Sequence, residues 1–305
     1  MNIKRTFLYT AASLLRFIPD EWILPIQYRI KTGRILHLKE PERFTEKIQH
    51  YKAYYHNPVM RQCVDKYAVR EYVVKKLGTA QYLNTLYQLC QKPEEIDFQS
   101  LPNQFVIKTT DGGSGDNTLI CKDKQALDIS KAIETIRLWT KKKYAVISRE
   151  WAYGFDEGSR IIVEQYLEDD RNADGSLEDY KFLCFNGKFK YLWIDRNRYS
   201  NHTRCFYDEQ LNWLHWISSD HPAYKDPFEL PTNIKEMIPL AERLAEDFPF
   251  ARIDFYNIKG RIIFGEITFY PMSGYFSFEP DSFDFDLGHL FDIDHYGQYD
   301  ERTAP

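Results

Sequence analysis

No Cys-x-x-Cys pair occurs among the 305 residues, and the five cysteines (Cys63, Cys90, Cys121, Cys184 and Cys205) lie far apart and are odd in number. That spacing argues against a disulfide framework or a structural zinc site and reads as reduced thiols in a cytosolic protein. No apolar run approaches the roughly 18 residues that a membrane span needs. With a net charge of −5 and no long basic run, nucleic acid is not expected as a partner. Internal repeats and low-complexity segments are missing, and neither G-x-x-x-x-G-K-[ST] nor G-x-G-x-x-G occurs, so neither a P-loop nor a Rossmann reading is licensed. The eight histidines form no evident dyad.

What is present is a globular composition: 43% hydrophobic and 16% aromatic residues supply a sizeable core. The length suits two domain-sized units or one multi-lobed enzyme. The N-terminal stretch "MNIKRTFLYTAASLLRFIPDEW" has the basic and then apolar order of a signal peptide, but Arg16 interrupts the apolar part. Two readings stay open for it: an amphipathic helix resting on a membrane surface or a partner, or a helix packed on its own protein.

Residues 1–100 read as mainly helical. The clearest helix is "NPVMRQCVDKYAVREYVVKKLG", with Asn57 as cap, Pro58 in the first turn and Gly78 as stop. From Phe105 the pattern turns to short β-rich runs. "FVIKTT" and "NTLICK" flank a glycine loop, "SKAIETIRLWTKK" reads as a helix, and "SRIIVEQYL" as a buried strand. Hairpins turn at Asn186-Gly187 and at Lys259-Gly260, with the amphipathic helix "PTNIKEMIPLAERLAEDF" between them. Hairpins with interspersed helices predict an α+β architecture with antiparallel sheets.

Two stretches carry chemistry. In "FVIKTTDGGSGDN" the glycines let backbone N–H groups converge on an anion, and Lys108 on the strand before them adds a fixed positive charge. By itself this loop is equally a flexible turn. In "ARIDFYNIKGRIIFGEITFYPMSG", Asp254 and Glu266 lie on opposite arms of a hairpin, on one face. Like charges so placed repel, so a positive group should sit between them. Mg²⁺ suits such oxygen ligands, with phosphates completing its shell. Arg252, two residues from Asp254, shares the face and could bind a carboxylate or a phosphoryl group; the alternative is an internal Arg–Asp ion pair beside an exposed Glu. Lysine, glycine loop and paired carboxylates together make a set of parts for ATP. "IIVEQYLE" offers an adenine site, with backbone groups where the strand leaves the core and Glu164 and Glu168 as acceptors.

At this point the sequence resembles the ATP-grasp superfamily, and most closely its TupA-like branch, associated with teichuronopeptide and capsular polysaccharide biosynthesis. The resemblance runs through "PERFTEKIQHYKAYYHNPVMRQCVDKYAVREYVVKKLG", "FVIKTTDGGSGDNTLI", "RIIVEQYLE", "DYKFLCFNGKFKYLWIDR" and "ARIDFYNIKGRIIFGEITFYPMSGYFSF". It implies an ATP-grasp fold: a mainly helical N-terminal region (1–100), then two α+β lobes (101–167 and 168–305) gripping ATP. It makes Lys108 the strand lysine on ATP phosphate and Gly112, Gly113, Ser114 and Gly115 the flap over the phosphates. Glu164, Gln165, Tyr166 and Leu167 become the adenine hinge, Glu168 lies near the ribose, and Lys181 is a second phosphate-facing lysine. Arg252 contacts the transferred phosphoryl, and Asp254 and Glu266 hold Mg²⁺. Where the wider superfamily reads Glu-x-Asn, this chain has Thr268.

The implied reaction activates a carboxylate as an acyl phosphate, which an amine attacks. The expected partners are ATP, a saccharide or polysaccharide precursor bearing a carboxylate, and an amino acid or amine. The expected place is the cytoplasm, with peripheral contact to the inner face of the membrane or to capsule-assembly partners. A glycosyltransferase, with "DFD" at 284–286 as its nearest Asp-x-Asp, and an ATP-dependent kinase on the same fold are the other enzymatic readings; a non-catalytic scaffold is a further one.

Overall fold

The structure, a computed structural model, describes residues 18–112, 117–141, 148–154, 158–169, 176–197, 202–224 and 229–293. The chain divides into two compact units: Met1–Asn57, Arg149–Trp151 and Glu168–Pro305 form one, and Pro58–Ser148 with Ala152–Leu167 the other. The expected helical region of residues 1–100 is thus not a unit of its own. Its first 57 residues group with the C-terminal part of the chain.

In the smaller unit, helices α3 (Val59–Val64) and α4 (Val69–Leu77) replace the single helix expected over this stretch. Asp65 makes the break. Its backbone is extended, and its carboxylate accepts from the N–H groups of Tyr67 and Ala68, so the side chain competes with a continuous helical ladder. Arg160 holds the same carboxylate at 3.1 Å. Strand β1 (Leu86–Cys90) also lies inside the region expected to be helical. It is an edge strand of a four-stranded antiparallel sheet ordered β1-β4-β2-β3, with β2 (Phe105–Thr109), β3 (Thr118–Cys121) and β4 (Ile161–Gln165). One face of this sheet, through Phe105, Ile107, Ile161 and Val163, packs with Ile136 and Trp139 of helix α5 (Ile129–Thr140). Asp128 caps α5 by accepting from the N–H of Lys131.

The larger unit is built on a five-stranded antiparallel sheet ordered β7-β6-β5-β8-β9. Its strands are β5 (Asp179–Phe185), β6 (Lys188–Arg196), β7 (Thr203–Tyr207), β8 (Phe250–Ile258) and β9 (Arg261–Thr268). Both tight hairpins fall where expected. Asn186 and Gly187 have φ of 49° and 71°, Lys259 and Gly260 52° and 85°, the pair of left-handed residues that suits the strand twist. Helix α6 (Ile234–Ala245) buries Met237, Ala241 and Leu244 and packs on β5, β6 and β8. Helices α1 (Asp20–Thr32), α2 (Phe44–Tyr54) and α7 (Ser282–Leu290) complete the unit. Phe44 of α2 stacks edge-on against Phe185, Phe250 and Phe276. Each such buried ring removes apolar surface worth about 1.5–3 kcal/mol from water.

Candidate active site

Antiparallel register decides which side chains share a face. Pairings on the five-stranded sheet run Asp179 to Asp195, Lys181 to Trp193 and Asp254, Asp195 to Arg204, Asp254 to Glu266, and Arg252 to Thr268. Asp179, Lys181, Trp193, Asp195, Arg204, Arg252, Asp254, Glu266 and Thr268 therefore project from one face. Further along it, Phe185 and Phe250 pair and continue the face as aromatic core.

The expected positive group between Asp254 and Glu266 is Arg252. Its Nε and Nη2 grip both oxygens of Asp254 at 2.8 and 2.7 Å, and Nη2 also donates to Glu266 Oε1 and Thr268 Oγ1, each at 3.1 Å. An internal Arg–Asp pair beside an exposed Glu describes part of this. The added contacts to Glu266 and Thr268 make Arg252 the hub of the hairpin. Burial works against the Arg252 charge, but Asp254 and Glu266 outweigh it and hold its pKa above the ordinary value. Burial likewise pushes the Asp254 carboxyl up, against Arg252 and Lys181, which favour its charged form.

Lys181, the second phosphate-facing lysine of the resemblance, has its ammonium among three carboxylates. Asp179, Asp254 and Asp195 are 2.9, 3.2 and 3.8 Å away. A buried cation needs such neighbours, and β5 is covered on both faces. Sequence reasoning missed Asp179, Asp195 and Trp193 as members of this face. The available signal was charged residues set inside otherwise apolar strands, alternating at 179 and 181 and again at 252 and 254. Asp195 accepts from Arg204 Nε at 2.8 Å and from Trp193 Nε1 at 2.9 Å, and His202 Nε2 lies 3.2 Å away. Burial raises the Asp195 pKa, but His202, Lys181 and Arg204 override it and hold the carboxyl far below its usual range. His202 is half-buried, its ring 3.7 Å from that of His221, and not the exposed sheet histidine that a surface strand would carry.

Mg²⁺ fits the chemistry of this donor set. Three cations, Lys181, Arg204 and Arg252, face four carboxylates, Asp179, Asp195, Asp254 and Glu266. The surplus is negative, and Glu266, with 47% of its side chain accessible, is the open member. Among the described residues no group of three or more His, Cys, Asp and Glu side chains forms a closed metal cage. Two carboxylates completed by water and phosphate oxygens are what Mg²⁺ commonly takes.

In the smaller unit Lys108 and Glu164 come together on β2 and β4, with Nζ to Oε2 at 3.1 Å; Arg70 holds the other Glu164 oxygen at 3.6 Å. Glu164 is buried in the ladder, and Gln165 is engaged on both sides, its N–H by the Thr85 carbonyl and its C=O by the Asn84 amide. Within the expected hinge 164–167, the backbone of those two residues is thus already bonded within the unit. Tyr166 and Leu167 follow the last strand residue, and Glu168 is exposed. Gly112 closes the start of the glycine loop, its carbonyl accepting from Lys66 Nζ, a cation the sequence reading did not single out. A Cβ there would meet Thr109 Oγ1 at 2.9 Å. Gly113, Ser114 and Gly115 lie outside the described residues.

Asp284 of the "DFD" stretch is fully buried on α7 and accepts from the N–H and hydroxyl of Thr45. That is a structural role on a helix, not the loop after a strand that a nucleotide-sugar site would need.

The helices and antiparallel sheets of these units are those of an ATP-grasp fold. A family model described as TupA-like ATPgrasp matches residues 46–292, and the chain belongs to that family. Similar solved structures include D-alanine–D-alanine ligase from Bacillus anthracis, 19% identical over 68% of this chain and 56% of that one, with a TM-score of 0.41. The Helicobacter pylori enzyme of the same name is 16% identical over 75% and 61%, with 0.45. The L-amino acid ligase from Bacillus licheniformis is 13% identical over 71% and 45%, with 0.43. The chain thus spans about half to three-fifths of the lengths of these proteins. No curated protein matches it.

Proposed function

We propose that the chain is an ATP- and Mg²⁺-dependent carboxylate–amine ligase that joins an amino acid or amine to a uronic acid carboxyl of a bacterial capsular or cell-surface polysaccharide precursor in the cytoplasm. The observation that carries this reading is the direct pairing of Asp254 with Glu266 under Arg252, in a chain of the TupA-like ATP-grasp family.

In the proposed reaction a carboxylate oxygen of the saccharide attacks the γ-phosphorus of ATP and ADP leaves. The amine nitrogen then attacks the acyl carbon, phosphate departs, and the nitrogen gives up one proton. Asp254 and Glu266 would hold Mg²⁺, which when bound offsets charge on the phosphates. Arg252 would stabilise the transferring phosphoryl from a position already fixed by two carboxylates, so little reorganisation is needed at the moment of transfer. Lys181, which donates to Asp254, would be the second lysine facing the phosphates. Lys108 meets an ATP phosphate, and Gly112, Gly113, Ser114 and Gly115 cover it, excluding water that would hydrolyse the acyl phosphate. Glu164, Gln165, Tyr166 and Leu167 would receive adenine, and Glu168 the ribose hydroxyls. No protein nucleophile is required.

Asp254→Asn and Glu266→Gln should each lower Mg²⁺-dependent ADP release at least a hundredfold in purified protein whose melting temperature is preserved. Lys108→Ala should raise KM for ATP about tenfold, the equivalent of roughly 1.4 kcal/mol. Full turnover in either carboxylate variant would remove Asp254 and Glu266 from the metal role.

A further inference from the structure

Helix α1 has two faces of opposite kind. Ile23, Leu24 and Tyr28 are buried and pack with Leu36 and Leu38. On the other side Trp22, Ile26 and Ile30 repeat every fourth residue with 70%, 56% and 74% of their surface exposed, and Ile35 just beyond the helix is 69% exposed. Single exposed apolar residues are ordinary, but a helical stripe of them ending in tryptophan is not. Ile18, Glu21, Trp22, Ile23, Pro25 and Ile26 line an open, mainly apolar concavity at its N-terminal end.

Charge says what covers the stripe. Residues 22–39 contain Arg29, Lys31, Arg34 and Lys39 and no acidic residue; Lys4, Arg5 and Arg16 precede them in the sequence. Residues 1–39 carry a net charge of +5 in a chain whose total is −5, leaving −10 for the remainder. Of the two acids at the start of α1, Asp20 is paired with Arg149 at 3.0 Å, while Glu21 accepts from the Tyr54 hydroxyl at 2.9 Å and keeps its charge, outnumbered by the cations of this segment. Arg34 is held by Asp281 and Asp284, whereas Arg29, Lys31 and Lys39 are exposed. A basic rim around an apolar stripe with tryptophan matches an anionic lipid surface, which rewards burial of the stripe and attracts each nearby cation. A second copy of this acidic chain would complement the charge but would have to cover the apolar row as well.

We propose that the exposed face of α1, centred on Trp22, Ile26 and Ile30 and flanked by Arg29 and Lys31, docks the protein on an anionic bilayer surface. This stands apart from the ligase reading, because the contact is measured without nucleotide.

The test is flotation of the full chain with phosphatidylglycerol and with phosphatidylcholine vesicles. The protein should float with the anionic vesicles, at least tenfold more tightly than with the zwitterionic ones, and 0.5 M salt should release much of it. The triple variant Trp22→Ser, Ile26→Ser, Ile30→Ser should bind at least tenfold more weakly at an unchanged melting temperature. Should that variant misfold, Ile30→Glu alone carries the same expectation. Arg29→Gln with Lys31→Gln should weaken only the anionic binding. Absence of flotation with either vesicle, equal binding to both, or wild-type binding by the stripe variants would overturn the proposal. So would a wild-type dimer that floats with neither vesicle and that the stripe variants make monomeric, which would assign the face to a second copy.

Discussion

Arg252 binds Asp254, Glu266 and Thr268 with one side chain that is itself nearly buried. Removing it leaves two like charges facing each other across a hairpin, and breaking such a buried arrangement typically costs about 3–5 kcal/mol. Arg252→Met should therefore melt well below the wild type in thermal denaturation, and Mg²⁺ should restore more stability to the variant than to the wild type. An equal Mg²⁺ response in both would separate the carboxylates from any metal. Asp195 gives the pH dependence. Its folded pKa lies far below the unfolded value of about 3.9, so its stabilisation is complete above about pH 5 and is lost as pH falls through and below that unfolded value. Asp195→Asn should flatten the fall in melting temperature between pH 5 and pH 3; an unchanged slope would show that His202, Lys181 and Arg204 do not stabilise the carboxylate.

At the scale of elements, Asp65 sets the break between α3 and α4. Asp65→Ala removes the acceptor for two N–H groups at the start of α4 and the partner of Arg160, a loss of about 1–2 kcal/mol from the cap. Asp65→Asn should recover most of it in denaturant titration; equal losses in both variants would place the effect in the Arg160 pair. The same residue explains why a single helix looked right from sequence: the apolar spacing continues through it, and only the local competition of its carboxylate interrupts the ladder. Strand β1 escaped notice because Gln88 and an edge position give it little apolar alternation. The hairpins were legible because Asn186-Gly187 and Lys259-Gly260 supply the left-handed residues that their turns require. That legibility extends to Arg252, Asp254 and Glu266, which lie within one hairpin where short-range register fixes the face. Asp179, Asp195 and Arg204 join them only through the β5–β8 pairing, between strands distant in sequence; charged residues within apolar strands mark the face, but no local pattern announces that pairing.

At the scale of the whole molecule, the ligase reading proposed above draws on membership of the TupA-like ATP-grasp family and on the charged face of the five-stranded sheet. The lysine and glutamate on the four-stranded sheet and the carboxylates on the other are separate sets of groups, and the ligase reading requires both. The most direct test is product analysis: incubation of the purified chain with Mg²⁺-ATP against a panel of uronic-acid saccharides and amino acids, with ADP and product mass measured together. One ADP is expected for each new amide, found only with a carboxylate-bearing saccharide and an amine present together. A stable phosphoester with ADP, or a new glycosidic bond with release of a nucleoside diphosphate from a sugar donor, would contradict the ligase reading.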